Sequence, residues 1–541
     1  MSFHARVHHL PTLGIGVSTE YGAGDSPGGL DIPALRRAHP ARAAFLELGT
    51  EVAKGFDRHA EAWIASGAPT TYHFLDVNLE EREDLDARWL DGVEALTRKA
   101  RPAWLCGDAG LWHVGRRERG HMLLLPPILT RDTACAMAPG IAALRAHTGL
   151  EVLPENPPGA VYVGDLHLLD FFARLCEEAD TGMLLDAAHL AIYQRSKGLP
   201  ALTGLDAFPL ERLVELHIAG ARVGNVDGYA FVDDDHTPEV LPETWEILRY
   251  VAPRAPNLRA IVVECERNPL EQVGGLYDRI EALVAGSPFD VRRSAGSRRA
   301  EGPATMPAPL PWFESPPPRQ AVQRGVVRML HDPGALGRIA TEGDLTPQEL
   351  VWLRAVDPRA WRTDPYRAAR LMTGLVEEYP AGANAVGADL RAFFGGARFH
   401  AAVRDGTSLA DALGAWLADL APTVVRPVVE VERAIAAGRR AEVPAGEASG
   451  DTLVRSPRCA VVTGPVPPPY ACDGDALVTV GEDGLASVEE ASDGLAAILR
   501  AAEAPVGRGA LLDMARELGA EPGEDAEIVD GLLADGLLVP A

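Results

Sequence analysis

Short apolar runs alternate with amphipathic stretches over about the first 285 residues of the chain. The apolar runs cover residues 13–17, 44–48, 70–75, 103–106, 150–153, 182–185, 213–218 and 260–264. Helical periodicity marks the intervening residues 89–100, 133–148 and 166–178. Eight strands that alternate with helices over this length predict an α/β fold of the (β/α)8 TIM-barrel type for residues 1–285.

The pattern changes after the predicted barrel. Residues 286–318 are rich in Gly, Ser, Arg and Pro, which predicts a linker. Residues 319–422 read as a mainly helical domain, with a capping-box start at Thr346-Pro347-Gln348-Glu349. Residues 423–541 read as a mixed segment with strands at 424–431, 459–463 and 477–480. Helices at 510–518 and 525–535 close this segment and indicate a small α+β winged-helix-like domain that recognises peptide or protein.

Composition narrows the function. The chain has 541 residues and a formal net charge of −26. This disfavours a general nucleic-acid binder, because phosphate contacts need Lys and Arg. The sequence contains no apolar run of about 18 residues and no signal-peptide core, so we expect a cytoplasmic protein without a membrane span. Six scattered cysteines form no C-x-x-C pair, which disfavours a zinc ribbon or a disulfide framework.

Acidic and histidine residues recur where the apolar runs end. The chemistry-bearing candidates are three histidines, four carboxylates and one amide: His73, His217, His236, Glu155, Asp186, Asp234, Glu264 and Asn156. Each has a structural alternative. His73 alone fits a hydrogen-bonded core histidine, Asp186 and His189 fit a helix N-cap with a first-turn histidine, and Asp234 and His236 fit a solvated loop. A buried carboxylate such as Glu155 or Glu264 needs a cation or a paired base.

Taken together, these residues predict a metal site at one mouth of the barrel. Nitrogen and oxygen ligands without thiolates suit iron, manganese or zinc, and residue type alone does not select among them. Ligands in this number would hold more than one ion, and carboxylates such as Glu155 or Glu264 could bridge neighbouring ions.

These residues carry a family resemblance. The first 280 residues or so resemble the multinuclear non-heme iron-dependent oxidative enzymes best known from methanobactin biosynthesis. The matching stretches are Tyr72-His73-Phe74, Leu124-Leu125-Pro126-Pro127, Glu155-Asn156-Pro157, Leu184-Leu185-Asp186, Leu216-His217-Ile218-Ala219-Gly220, Asp234-Asp235-His236 with Val240 and Trp245, and Glu264-Cys265-Glu266.

The resemblance implies a metal-bearing TIM barrel with two or three iron ions and dioxygen as co-substrate. In the family, iron and dioxygen oxidatively remodel a cysteine, or sometimes an Asp or Asn, of a ribosomally made precursor peptide. Carried over by position, the implied metal ligands are His73, Glu155, Asn156, Asp186, His189, His217, Asp234, His236 and Glu264. His189 stands where many relatives have Asn.

One stretch departs from the family pattern. The family has a Ser-Asp/Glu-His-Leu stretch at the fourth strand, with its histidine on iron, whereas this chain reads Gly107-Asp108-Ala109-Gly110-Leu111-Trp112-His113. Either His113 or Asp108 substitutes for that histidine, or one iron site is altered or missing.

The resemblance also bears on partners and alternatives. A separate partner protein presents the peptide in such systems, and residues 319–422 loosely resemble the helical start of those partners, so a partner function would be fused into this chain. Two other classes stay open: a metal-dependent hydrolase or isomerase barrel of the endonuclease or sugar-isomerase type, and a metal-free scaffold.

Overall fold

The computed structural model describes residues 1–20, 28–117, 123–296, 304–312, 319–442 and 451–541. These residues divide into two compact units, Met1–Arg367 and Ala368–Ala541. Among them, none of the helices combines the length and the apolar character that crossing a bilayer requires.

The first unit contains the predicted barrel. Its strands in chain order are β1 Gly14–Glu20, β2 Leu46–Thr50, β3 Thr70–Phe74, β4 Leu105–Asp108, β5 Val152–Glu155, β6 Met183–Asp186, β7 Leu213–Ala219, β8 Ala221–Val226, β9 Tyr229–Asp234 and β10 Ala260–Glu264. Eight of them close into a parallel barrel in the order β1-β10-β7-β6-β5-β4-β3-β2. The predicted TIM barrel is therefore confirmed, and all eight predicted apolar runs supply its strands.

Helices surround the barrel and continue beyond it within the same unit. They are α1 Phe3–Arg6, α2 Ile32–Ala38, α3 Arg58–Ala65, α4 Ala87–Ala100, α5 Arg131–Thr148, α6 Leu168–Glu178, α7 Ala187–Ser196, α8 Pro242–Val251, α9 Leu270–Val284, α10 Pro288–Ser294, α11 Gln320–His331, α12 Leu336–Glu342 and α13 Pro347–Ala355. Short 3-10 turns lie at Val7–His9, Arg82–Asp84, Leu210–Arg212 and Ala360–Arg362.

Strands β8 and β9 form an antiparallel hairpin that the sequence reading took for a polar loop. Val226 pairs with Tyr229 across the two-residue turn Asp227-Gly228. Both turn residues have positive φ, 50° and 79°, which suits the tight turn that Asp-Gly favours.

The start of the predicted linker is folded. Ser287 caps α10, with Pro288 in the first turn. Phe289 is fully buried in the barrel core cluster, and Arg292 donates to the carbonyl of Leu258. Residues 287–294 of the predicted linker therefore form a helix that packs against the barrel. Residues 297–303 and 313–318, with Arg298, Arg299 and the proline run, lie outside the described residues.

The amino end of the barrel is closed by α1. Phe3 and Val7 pack in a buried cluster with Trp104, Leu153 and other inward residues. The Arg6 side chain is fully buried and bonds both carboxylate oxygens of Glu151, which directly precedes β5. Helix α1 therefore fills the amino end of the barrel, and the opposite, carboxyl-terminal mouth is the end available for a functional site.

The second unit begins with helices and ends in two small sheets. Its helices are α14 Arg367–Val376, which starts at the unit boundary, α15 Pro380–Val386, α16 Ala392–Gly395, α17 Ala397–Asp405, α18 Leu409–Leu420, α19 Arg426–Arg440, α20 Asp493–Ala501, α21 Arg508–Glu517 and α22 Glu524–Ala534. Its strands are β11 Thr452–Arg455, β12 Cys459–Val462, β13 Ala476–Val480, β14 Ala486–Glu490, β15 Val506–Gly507 and β16 Leu538–Pro540. The sheets have the orders β15-β11-β16 and β12-β13-β14.

The prediction of a mainly helical region after the barrel is confirmed, but the strand expected at residues 424–431 is wrong. Helix α19 covers most of that stretch. Its buried residues include Val428, Val431 and Ile435, which lie on one face at helical spacing. The predicted strands at 459–463 and 477–480 correspond to β12 and β13.

Candidate metal centre

The carboxyl ends of the barrel strands bring most of the predicted ligands to one rim. Glu155, Asp186 and Glu264 are the last residues of β5, β6 and β10. His73 is next to last in β3. Asp186 pairs in register with His217 of β7, so the two side chains leave their strands on the same face.

Glu155 lies between two histidines. Its Oε2 is 2.6 Å from Nε2 of His73, and its Oε1 is 3.3 Å from Nδ1 of His217. The same nitrogen of His217 is 3.3 Å from Oε1 of Glu264. All four residues are buried. Glu155 can therefore contact two different cations through its two oxygens.

The junction between β6 and α7 orients His189. Asp186 is the N-cap of α7, and its side chain accepts from the backbone N–H of His189. Nδ1 of His189 lies 2.8 Å from the carbonyl of Asn156 and must donate to it, so Nε2 is the atom left to face Asp234 at 3.2 Å. The helix-cap alternative for Asp186 and His189 is therefore correct as geometry, and it also aims Nε2 of His189 at another predicted ligand.

Asn156 has a different position. Its Nδ2 donates to the carbonyl of Asp186, and its Oδ1 accepts from the backbone N–H of the same residue. These bonds tie the end of β5 to the end of β6. The amide of Asn156 therefore positions the end of β6, and its role as a metal ligand stays a prediction, because Oδ1 has a second lone pair.

The β8–β9 hairpin delivers the last two predicted ligands. Asp234 ends β9, and His236 follows with φ of 54°, a strained left-handed backbone for a residue with a Cβ. Gly220 permits this close return, because a Cβ there would lie 1.7 Å from the carbonyl oxygen of Thr237. Nε2 of His236 is 3.3 Å from Asp234 and 3.8 Å from Glu264. The hairpin therefore holds His236 buried beside Asp234 and Glu264, so the solvated-loop alternative does not hold for His236.

Burial and charge shift the protonation of this cluster. Burial lowers the pKa of His73, but the hydrogen bond and charge of Glu155 outweigh it and raise the pKa to about 10. Burial raises the pKa of Glu155, yet the charges of His217 and His73 outweigh it and hold that pKa below its ordinary value. Burial raises the pKa of Asp186 to about 7, against the charge of His189. Without a metal, the imidazoles serve as the cations that balance the carboxylates.

The donor set fits metal ions. Carboxylates outnumber imidazoles in the centre. The imidazoles are those of His73, His189, His217 and His236. The carboxylates are those of Glu47, Asp108, Glu155, Asp186, Asp234, Glu264 and Glu266. Within the described part of the chain, Oδ2 of Asp186, Oδ1 of Asp234 and Oε2 of Glu264 are buried and have no hydrogen-bond partner. Such atoms are costly unless a cation satisfies them.

Three of the candidate ligand groups among the described residues consist of members of this centre, and in each group one donor atom per residue lies within 4.8 Å of the others. They are His73 with Asp108 and Glu155, Glu155 with Asp186 and His217, and Glu47 with His217 and Glu264. Because Glu155 and His217 each belong to two groups, neighbouring ions would share ligands.

The sequence reading missed Glu47 and Glu266 as parts of the centre. Oε1 of Glu47 is 3.3 Å from Nε2 of His217, and Oε1 of Glu266 is 2.7 Å from Nδ1 of His236. Both carboxylates are fully or almost fully buried. For Glu47 the available signal was a carboxylate set in the apolar run 44–48, and for Glu266 it was the stretch Glu264-Cys265-Glu266, which carries the resemblance.

Asp108 and His113, the two candidates to replace the missing histidine of the fourth strand, have different surroundings. Asp108 ends β4 and is buried, with Oδ2 4.0 Å from Nε2 of His73. His113 instead bonds the carbonyl of Gly115 through Nδ1 and Oδ2 of Asp84 through Nε2. The charge of Asp84 overcomes burial and raises the pKa of His113, with a smaller contribution from Glu81 and an opposing one from Arg117. His113 therefore belongs to a separate buried ion pair.

A family model matches most of the barrel, from α2 to α9. Residues 32–283 match the family described as "RiPP precursor modification enzyme MbnB/TglH/ChrH", in which RiPP denotes a ribosomally synthesised and post-translationally modified peptide. A UPF0276 protein of Neisseria meningitidis serogroup B is 26% identical over 260 residues, which cover 46% of this chain and 88% of that protein. A UPF0276 protein of Bordetella bronchiseptica is 27% identical over 257 residues, with 46% and 87% covered.

Similar solved structures also align with about half of the chain. Endonuclease IV from Thermus thermophilus is 15% identical with a TM-score of 0.32, over 50% of this chain and 98% of that one. A xylose isomerase-like TIM barrel protein from Mycobacterium smegmatis in complex with magnesium is 12% identical with a TM-score of 0.34, over 52% and 99%.

Proposed function

We propose that this chain is an iron- and dioxygen-dependent oxidase of a ribosomal precursor peptide, because residues 32–283 match the family of RiPP precursor modification enzymes. The expected target is a cysteine, or an Asp or Asn, of that peptide. One observation carries the proposal: buried carboxylates and imidazoles from six strand ends and one hairpin meet at the carboxyl mouth, and several of their oxygens have no hydrogen-bond partner among the described residues.

The residues divide into two neighbouring regions that would hold the ions. Glu155 and His217 belong to the inner region, together with His73, Asp186 and Glu264. Asp234, His189 and His236 form the outer region and approach Glu264. Two or three iron ions fit this donor set, and bound iron would supply both a site for the substrate side chain and the capacity for oxidation with dioxygen.

Residues outside the ligand set fix which nitrogen each histidine offers. Glu266 accepts from Nδ1 of His236, and the Asn156 carbonyl accepts from Nδ1 of His189, so both rings present Nε2 to the centre. Glu47 stands against Nε2 of His217, which leaves Nδ1 toward Glu155 and Glu264. These contacts fix the ring orientations before an ion arrives, and a bound ion would replace the proton on the nitrogen that faces it.

The helices that follow the barrel support a role in presenting the peptide. Gln323 of α11 donates to the carbonyl of Pro126, beyond β4. Val322 and Val326 pack with Val161, which follows β5. Arg362 pairs with Asp227 at the hairpin tip at 2.9 Å. All these contacts lie at loops of the carboxyl mouth, so we propose that this segment shapes the approach of the peptide and that a partner function is fused into the chain.

The test is coexpression with candidate precursor peptides encoded near the gene, followed by mass spectrometry of each peptide with and without dioxygen. The proposal predicts a dioxygen-dependent mass change that His217→Ala and Asp234→Ala abolish together with iron loading. An exposed-residue variant, Glu246→Gln, is the matched control and should behave like the wild type.

Two results would contradict the proposal. Normal peptide turnover in the His217→Ala and Asp234→Ala variants would show that the site is elsewhere. Cleavage of abasic DNA or isomerisation of a sugar without dioxygen uptake would favour a hydrolase or isomerase.

A further inference from the structure

We propose that Asp108 is a metal ligand and that it forms, with His73 and Glu155, a pocket of one nitrogen and two oxygen donors for a hard divalent cation. The inference rests on the proposed function, because it assigns one of the ions that the barrel would hold. It also gives an answer to the missing histidine of the fourth strand.

Strand register directs Asp108 into the mouth of the barrel. Asp108 is the direct partner of Glu155 in the β4–β5 pairing, and Cys106, two residues earlier, is the partner of His73 in the β3–β4 pairing. Side chains two apart on a strand share a face, and residues in register on parallel strands do too. The thiol of Cys106 contacts Glu47 inside the barrel. Asp108 therefore points inward one step closer to the rim.

The distances suit a shared ion. Oδ2 of Asp108 is 4.0 Å from Nε2 of His73, beyond a direct hydrogen bond. The donor atoms of Asp108, His73 and Glu155 lie within 4.8 Å of one another. Ligands that each bind an ion at about 2.1 Å lie roughly 3 to 4 Å apart, so small side-chain shifts close this pocket around one ion.

Burial makes a solvated alternative unfavourable. Asp108 is 5% exposed, Glu155 1% and His73 4%. Taken alone, these three side chains carry a net negative charge even when His73 is protonated. The two carboxylates share the imidazole of His73, whose Nε2 is 2.6 Å from Glu155 and 4.0 Å from Asp108. A divalent cation would remove the excess.

The fourth strand offers no imidazole in place of Asp108. Both nitrogens of His113 are engaged by Gly115 and Asp84. Ala109 is fully buried, and a Cβ on Gly110 would lie 2.5 Å from the carbonyl oxygen of Leu125. A larger side chain at Gly110 is therefore excluded by the backbone.

The donor set determines the class of ligand. A pocket with one imidazole and two carboxylates favours hard or borderline divalent ions such as Mn²⁺ or Fe²⁺ over soft, thiolate-seeking ions. The outer region, with His189 and His236 beside Asp234, is richer in nitrogen. The pocket at Asp108 should accordingly be the one that Mn²⁺ fills most readily.

The experiment counts bound Mn²⁺ on chelator-stripped full-length protein, by anaerobic equilibrium dialysis and electron paramagnetic resonance. We expect Asp108→Asn to bind one equivalent fewer than the wild type, or to bind it at least tenfold more weakly. His73→Gln should lose the same equivalent, and the double variant should lose no more than either single variant. His113→Gln is the matched control and should keep every equivalent.

Asp108→Glu keeps a carboxylate, and we expect it to retain the number of bound ions with a changed affinity, which separates ligand loss from damage to the fold. An Asp108→Asn protein that binds Mn²⁺ as the wild type does would overturn the assignment and leave the proposed function standing. Additive losses in the double variant would also overturn it, because the two residues would then serve different ions. A wild-type protein that binds no divalent metal would contradict the proposed function itself.

Discussion

Replacing Glu155 with Gln is the perturbation to which the centre should respond most strongly. Glu155 belongs to two of the candidate ligand groups and contacts His73 and His217 through different oxygens. The amide of Gln has nearly the same shape but lacks the charge, and a neutral amide is a poor ligand for transition metals. The variant should therefore lose binding at two positions while the outer region around Asp234 and His236 keeps its ion.

The expected loss of stability follows from the free energy with which a bound ion stabilises the folded state. An ion at a free concentration 100 times its dissociation constant stabilises the folded state by about 2.7 kcal/mol, so two lost positions remove about 5 kcal/mol. Each kcal/mol corresponds to about 2 °C for a unit of this size. The increase in melting temperature on adding metal should therefore be about 10 °C smaller in the variant than in the wild type.

The assay is anaerobic calorimetry of wild type and variant, each in excess chelator and then in excess Fe²⁺, with bound metal measured on the same samples. Glu246 is exposed on α8 and provides the matched control, Glu246→Gln. In chelator, the Glu155→Gln protein should unfold below the wild type, because His73 and His217 lose the carboxylate that balances their charge. The metal-dependent shift is therefore measured within each protein, against its own sample in chelator. A variant that keeps both the full metal-dependent shift and the full metal content would refute the reasoning.

Three further outcomes are expected. His113→Gln should destabilise the protein most at about pH 5. The raised pKa of His113 adds stability that is complete below about 6.5 and fades as pH rises through the folded value, while the lowered pKa of Asp84 adds stability above about 4. Denaturant titrations from pH 4 to pH 9 measure this effect, with His147→Gln at an exposed site as the control. A difference in unfolding free energy between His113→Gln and wild type that does not vary with pH would contradict the prediction. Arg6→Ala should lower the free energy of unfolding by about 3 to 5 kcal/mol, because it leaves the Glu151 carboxylate buried without its guanidinium partner. Bound metal should be unchanged, because α1 lies at the opposite end of the barrel. A variant that keeps full stability but loses metal would contradict this prediction. Prolonged dialysis against a strong chelator should abolish peptide modification, and added Fe²⁺ should restore it; activity that survives full metal removal would count against a metal enzyme.

The barrel was predictable because buried parallel strands read as nearly continuous apolar runs. Every one of the eight runs marked a strand, with bounds displaced by at most a few residues. The same rule failed at residues 424–431, where the valines resemble a strand although they begin α19. Pro427 in the first helical turn was the competing signal, and burial of Val428, Val431 and Ile435 on one face decided the outcome.

Two local sequence patterns indicate elements that the prediction lacked. Asp227-Gly228 between alternating residues is a strong hairpin pattern, and it would have identified β8 and β9. Ser287-Pro288 is a helix start, and it would have shortened the predicted linker by α10. Both stretches are polar overall, and this polarity led to the prediction of a loop and a linker despite the specific turn and cap residues.

The candidate centre was predictable as a set but not in its roles. Strand ends of a TIM barrel share one rim, so His73, Glu155, Asp186, His217 and Glu264 could be grouped without coordinates. The engagement of the Asn156 amide by the backbone of Asp186 depends on tertiary contacts between strands, and so do the positions of Glu47 and Glu266. Sequence spacing contains none of that information.

The most direct test of the central claim is the metal content of freshly, anaerobically purified full-length protein, measured by mass spectrometry of the elements against protein concentration. The account predicts two or three transition-metal ions per chain, mainly iron, which fall in number when His217 or Asp234 is replaced. Protein that folds normally and contains no transition metal, even after incubation with Fe²⁺, would contradict it.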